Sequence, residues 1–147
     1  MNKLYKELSD CQGFFLIAGP CVIESKNIMF TVAETLKNLC TAKGIPLIFK
    51  SSYRKANRSS VMSFSGPGME EGLNLLAEIK REFELPILTD VHECCEVAAA
   101  AEVCDILQIP AFLSRQTDLI KTAASTGKII NIKKGQFMAP EDMKLAA

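Results

Sequence analysis

The chain has 147 residues, 48% of them hydrophobic and 23% charged, which suits one domain with a real core and excludes a disordered polymer. Lysine plus arginine equals aspartate plus glutamate at 17 each, so no global field draws the chain to nucleic acid or to a membrane surface. No apolar run approaches the roughly 20 residues of a spanning helix, and residues 1–12 lack the pattern of a secretory signal, so the expectation is a soluble, cytoplasmic protein.

In chain order, Phe14–Ala18 (FFLIA) is a short apolar run that Gly19-Pro20 ends. Lys26–Ala42 has apolar residues at 28, 29, 32, 36, 39 and 40, a helical period, with Gly44 as the stop signal. Leu47–Phe49 is a second run. Met69–Phe83 reads as a helix with Leu73, Leu76, Ile79 and Phe83 on one face. Ile87–Leu88 comes after Pro86 and ends at Thr89-Asp90. Glu93–Val103 is alanine-rich and helical, Asp105–Ile109 is a fourth run, and Arg115–Ser125 is a short helix. Lys128–Ile132 is the fifth run. Pro140-Glu141-Asp142 reads as a helix first turn, with proline and acids where the helix dipole favours them. Five strands alternating with helices predict a parallel sheet with crossover connections. The last helical pattern has no cap, so the expectation is one incomplete domain over 1–147, truncated at its C-terminus.

Six cysteines stand at 11, 21, 40, 94, 95 and 104. None forms a C-x-x-C pair, which removes the zinc-finger and thioredoxin readings. Most are expected to be reduced thiols packed in the core.

Each apolar run gives way to polar or reactive residues at its carboxyl end. Gly19-Pro20-Cys21 comes after the first, Lys50-Ser51-Ser52 after the second, and Asp90 and His92 after the third. Gln108 lies in the fourth, and Lys133, Lys134 and Gln136 come after the fifth. The helix-to-strand turns, such as Gly44-Ile45-Pro46, are plainer. In parallel α/β folds the ligand site lies at the carboxyl ends of the strands. A lysine desolvated there needs an anion, so several cations on one rim predict a small multiply anionic ligand. Each feature also has a plainer reading: Lys133-Lys134 as a solvated turn, Ser59-Ser60 as a helix cap, Gln108 and His92 as structural hydrogen-bonders, Cys21 as a small buried residue.

The blocks IAGPCVIES, FKSSYRKANRSS, LPILTDVHE, DILQIPAFLSRQTDL and NIKKGQF, from about Phe14 to Pro140, together resemble the 3-deoxy-D-manno-octulosonate 8-phosphate synthase family. That resemblance implies the N-terminal part, about five βα units, of a TIM (β/α)8 barrel, from a cytoplasmic homotetramer. The implied reaction joins phosphoenolpyruvate, D-arabinose 5-phosphate and water, releases phosphate, and feeds lipopolysaccharide synthesis. The resemblance places Lys50, Ser52 and Lys55 at the phosphoenolpyruvate carboxylate and neighbouring oxygens, and Gln108, Lys133 and the Ala111 backbone at its phosphate. It places Asn57, Arg58 and Ser59 at the arabinose phosphate, Asp90 near the sugar hydroxyls, and Arg115 on the sugar phosphate of a neighbouring subunit. Lys55 and Asp90 are the implied catalytic groups.

Cysteine after Gly-Pro resembles the metal-dependent branch, which implies a divalent ion (zinc, iron or manganese) held partly by Cys21, with the other ligands beyond this chain. The N-R-S-S block differs from the loop of the related heptulosonate 7-phosphate synthases, so arabinose phosphate is expected rather than erythrose phosphate. The chain departs from the family at Tyr53-Arg54, where Phe-Asp is common and an acid has become a base. An alternative reading is a binding-only or inactive fragment of such an enzyme.

Overall fold

The computed structural model describes residues 2–57, 60 and 62–146. Its elements are α1 (Lys3–Ser9), β1 (Leu16–Ala18), α2 (Lys26–Lys43), β2 (Leu47–Lys50), α3 (Met69–Phe83), β3 (Ile87–Asp90), α4 (Cys94–Val103), β4 (Ile106–Ile109), α5 (Thr117–Ser125) and β5 (Ile129–Ile132). All five strands are parallel and lie in sequence order, β1-β2-β3-β4-β5, with helices between them. This is the arc formed by the first five βα units of a TIM barrel.

Side chains alternate across the sheet because successive Cβ atoms point to opposite faces. Leu47, Phe49, Ile87, Leu107 and Ile109 turn toward the helices and join Met29, Ala33, Leu76, Ile79, Val97 and Ala123 in the main core. The other face holds a smaller cluster of Ile48, Leu88 and Ile106, with Leu4, Leu8 and Ile129 packed against it. Helix α1 therefore lies under the inner face of the sheet. It is begun by Asn2, whose side chain accepts the amide of Leu4 at 3.0 Å. The residue pattern alone does not announce this helix, because seven residues are too few for a persuasive helical period.

The strand bounds move by one to two residues from those expected. The turn at Pro140–Leu145 is a 3-10 helix rather than the start of an α-helix, with Asp142 accepting the Ala139 amide at 3.3 Å. Of the cysteines expected in the core, Cys40 and Cys104 are buried, whereas Cys21, Cys94 and Cys95 are exposed and Cys11 is half-buried.

The amino ends of the strands are tied by plain structural contacts. Lys80 on α3 donates to Asp105 Oδ1 at 2.8 Å and to the Val103 carbonyl at 2.9 Å, while Asp105 Oδ2 accepts the Ile87 amide at 2.9 Å. At the opposite end, the chain leaving β2 turns inward and Tyr53 becomes fully buried against α3. Gly72 in α3 makes room for it: a Cβ there would stand 2.4 Å from the Tyr53 Cβ.

Replacing a helical glycine by alanine ordinarily helps an α-helix by about 1 kcal/mol. Here Gly72→Ala is expected to destabilise by about 1–3 kcal/mol instead, because overpacking against a fixed aromatic outweighs the backbone gain. Urea unfolding of the two chains side by side checks this, and an unchanged or raised midpoint contradicts it.

Candidate functional site

The alternation that puts apolar side chains inside at the base of the strands puts polar ones inside at their carboxyl ends. Two residues beyond Ile48 is Lys50, two beyond Leu88 is Asp90, two beyond Ile106 is Gln108 and two beyond Ile129 is Asn131. The pairing register aligns Asp90 with Gln108 and Gln108 with Asn131. A cavity of about 320 Å³ opens above this row. Lys50, Lys55, Asn57, Asp90, Gln108, Ala111 and Lys133 line it, with His92, Phe112 and Gln136. Nine of the residues singled out from the sequence, His92 and Gln136 among them, thus share one space.

Ser52 is fully buried behind that lining and acts as its hub. Its Oγ accepts from the Lys50 ammonium at 2.8 Å and the Lys55 ammonium at 2.9 Å, and donates to Asp90 Oδ1. Lys50 also stands 3.5 Å from Asp90 Oδ1. On the far side of Asp90, His92 Nε2 lies 3.2 Å from Oδ2. Asn131 Nδ2 donates to Gln108 Oε1 at 2.9 Å, which leaves the amide nitrogen of Gln108 as its free donor.

These contacts set the electrostatics. Burial pushes the Lys50 ammonium below its ordinary range, and the nearby Lys55 charge adds to that, while Asp90 and the Cys21 thiol oppose it. Burial works against ionising Asp90 too, but the His92 hydrogen bond, the Lys50 charge and the Ser52 hydroxyl outweigh it. They hold the carboxyl well below the usual carboxylate range. Asp90 is therefore an anion, and its neighbourhood has more cations than it can balance.

Cys21 sits just past β1. The turn that carries it is pressed onto β2: Ser51 Oγ donates to the Pro20 carbonyl at 2.8 Å, and the Ile23 amide bonds the Ser52 carbonyl at 3.0 Å. Gly19 permits the approach, since a Cβ there would stand 2.1 Å from the Lys50 carbonyl oxygen. Cys21 is exposed and within electrostatic reach of Lys50. By contrast, burial pushes the Cys104 thiol up to about 12, a structural cysteine. Among the described residues no three His, Cys, Asp or Glu side chains cluster so as to hold a metal ion. Cys21 is one sulfur donor without companions among them, so the residues present do not by themselves make a metal site.

Arg115 stands apart, on the edge of a different cavity with Ser114, Phe137 and Met138. Arg58 and Ser59 lie outside the described residues. Two contributors are not evident from residue pattern. Asn131 is the lone polar residue of the strand IINI, a signal that becomes meaningful only when the register sets it beside Gln108. Glu96 is a buried acid in an alanine-rich helix, and nothing local marks it.

A sequence model of the DAHP synthetase I family matches residues 9–147. The chain is 62% identical over 133 residues to the 2-dehydro-3-deoxyphosphooctonate aldolase of Polaromonas naphthalenivorans (strain CJ2), covering 90% of this chain and 47% of that protein. It is 60% identical over 144 residues to the protein of the same name from Burkholderia mallei (strain SAVP1), covering 98% of this chain and 51% of the relative. The chain spans about half the length of the curated relatives it matches.

A carboxyl held below its unfolded value contributes stability that is complete above the ordinary carboxylate range, about pH 4, and is lost as pH falls through the depressed value. Asp90→Asn removes that contribution and is expected to cost about 2 kcal/mol at neutral pH. Denaturant unfolding from pH 7 to pH 2 checks the sign: the gap between wild type and variant narrows on acidification, and a gap that widens contradicts it.

Proposed function

The chain belongs to the DAHP synthetase I family, and from that membership we propose that it supplies the first five βα units of an enzyme making 3-deoxy-D-manno-octulosonate 8-phosphate. The substrates are phosphoenolpyruvate, D-arabinose 5-phosphate and water, and the second product is inorganic phosphate. The observation that carries this reading is the excess of cations around Asp90: Lys50, Lys55 and Lys133 line one cavity at the carboxyl ends of the strands. Such a space favours a small ligand with several negative charges. The names of the relatives support the choice of reaction.

In this proposal Lys50, Ser52 and Lys55 hold the phosphoenolpyruvate carboxylate, and Gln108, Lys133 and the Ala111 backbone hold its phosphate. Asn57, Arg58 and Ser59 take the phosphate of the sugar, and Asp90 faces its hydroxyls. C3 of phosphoenolpyruvate attacks the aldehyde carbon, whose oxygen takes up a proton. Water adds at C2, and the tetrahedral intermediate expels phosphate as the keto group forms. The side chains orient two anions and offset charge as it develops. Lys55, which shares Ser52 with Lys50, is the group proposed to polarise the aldehyde or to pass its proton.

Family resemblance supplies the rest of the proposal. The domain over 1–147 is incomplete, with three further βα units and the remaining metal ligands lying outside it and Cys21 as one donor to a divalent ion. Arg115 reaches a neighbouring subunit of a homotetramer, and the enzyme works in the cytoplasm in lipopolysaccharide synthesis. No helix among the described residues is long and apolar enough to cross a membrane. The 147-residue chain alone is proposed to bind phosphoenolpyruvate without turning it over, since five strands leave the barrel open.

Calorimetry on the 147-residue chain is expected to show phosphoenolpyruvate binding that weakens about thirtyfold or more in Lys50→Met, the cost of removing one member of a desolvated charge pair. No heat from the wild type overturns the ligand assignment. In the complete enzyme, arabinose 5-phosphate is expected to be the working aldehyde, and faster use of erythrose 4-phosphate would transfer the reading to heptulosonate synthesis.

A further inference from the structure

The substrate loop after β2 is joined to the cavity by a second route, through a carboxylate that does not line it. Glu96, in the first turn of α4, is buried and serves three groups. Its Oε2 accepts from the Tyr53 hydroxyl at 2.8 Å and from the His92 amide at 2.7 Å, and its Oε1 accepts from Arg54 at 2.8 Å. The His92 ring lies between two acids, with Nε2 at 3.2 Å from Asp90 Oδ2 and Nδ1 at 3.5 Å from Glu96 Oε2. Nδ1 makes no hydrogen bond and faces Glu96 only by that proximity.

Two paths therefore run from β2 to Asp90. One is direct, from Lys50 and Lys55 through the Ser52 hydroxyl. The other leaves the loop at Tyr53 and Arg54, passes through Glu96 and returns to Asp90 through His92. Tyr53 is fully buried and Arg54 adds a contact to Glu93 at 3.1 Å, so the loop is fastened at the two residues just before Lys55. These are also the two residues at which the chain departs from the family pattern. Where an acid is usual, a base stands at 54, and the acids it needs are supplied by Glu93 and Glu96 at the start of α4.

We propose that Glu96 is a positioning residue: by gripping Tyr53, Arg54 and His92 together it sets Lys55 over the cavity and keeps the His92 ring against Asp90. The arrangement has a chemical consequence. With His92 Nε2 on Oδ2 and the Ser52 hydroxyl on Oδ1, Asp90 is fixed in orientation on both oxygens, and Oδ1 faces Lys50. Burial opposes ionisation of Glu96, but the His92 amide, the Tyr53 hydroxyl and Arg54 outweigh it and lower its carboxyl, which suits a permanent acceptor. The part concerning substrate rests on the proposed synthase function; the part concerning His92 does not.

His92 is the chain's only histidine, so its ring N–H can be read without ambiguity by nitrogen-15 NMR. The wild-type chain is expected to show a downfield, slowly exchanging Nε2–H resonance. Glu96→Gln is expected to lose that resonance and to weaken phosphoenolpyruvate binding about tenfold. Glu93→Gln, whose carboxylate meets the outer side of Arg54 and the Cys95 thiol but neither Tyr53 nor His92, is expected to keep both. Tyr53→Phe removes one hydroxyl from the grip and is expected to broaden the resonance, giving a reading if Glu96→Gln fails to fold. A ring N–H that persists unchanged in folded Glu96→Gln, or in Tyr53→Phe when the first variant does not fold, overturns the proposal. Because that arm needs no ligand, an absence of phosphoenolpyruvate binding in the wild type counts against the synthase function alone.

Discussion

The arrangement depends on a single buried hydroxyl. Ser52 receives two ammonium groups and directs its own proton to Asp90, so two like charges and one opposite charge meet at a side chain of one oxygen. Two desolvated cations beside one carboxylate are left with positive charge to spare. Burial lowers the affinity of Lys50 for its proton, and an arriving anion would restore it. The geometry thus leaves the node around Ser52 with positive charge that Asp90 alone does not offset.

That node stands where it does because of a simple periodicity. Inside positions of a strand recur every two residues, and in each of β2 to β5 the inner side changes from apolar to polar within one step. Ile48, Leu88, Ile106 and Ile129 form a floor that α1 helps cover. Lys50, Asp90, Gln108 and Asn131 stand two residues further along. Ile48, Leu88 and Ile106 are buried in that floor, and an apolar surface beneath the charges makes each of them count for more. The helix-facing side of the same strands carries the larger core, so packing and chemistry occupy opposite faces and different ends.

The loop after β2 shows how adjacent like charges are accommodated. Tyr53 and Arg54 stand just before Lys55, so a base adjoins a lysine of the cavity. Tyr53 sets a phenol in the core beside Gly72, and the Arg54 guanidinium lies on Glu93 and Glu96. A base that would repel Lys55 in open solvent is instead neutralised at the start of α4. The loop is thereby anchored on α4 at the two residues before Lys55.

Much of the architecture is legible without coordinates. Apolar runs, proline and glycine stops and the helical period locate all five strands and the four helices between them, because secondary structure is governed by short-range pattern. Residue type at the strand ends also points to the rim, and Lys50, Asp90, Gln108 and Lys133 do share one cavity, together with Lys55, Asn57 and Ala111, which the family resemblance singled out. What only the tertiary structure decided was partnership. That Ser52 is a hub, that Asn131 orients Gln108, and that Glu96 binds a loop about forty residues away in sequence depend on strand register and on the approach of α4, neither of which leaves a local trace. A side chain's type can be read from one position in a chain, but the charge it must balance is set by neighbours that only the folded sheet brings within a few ångströms.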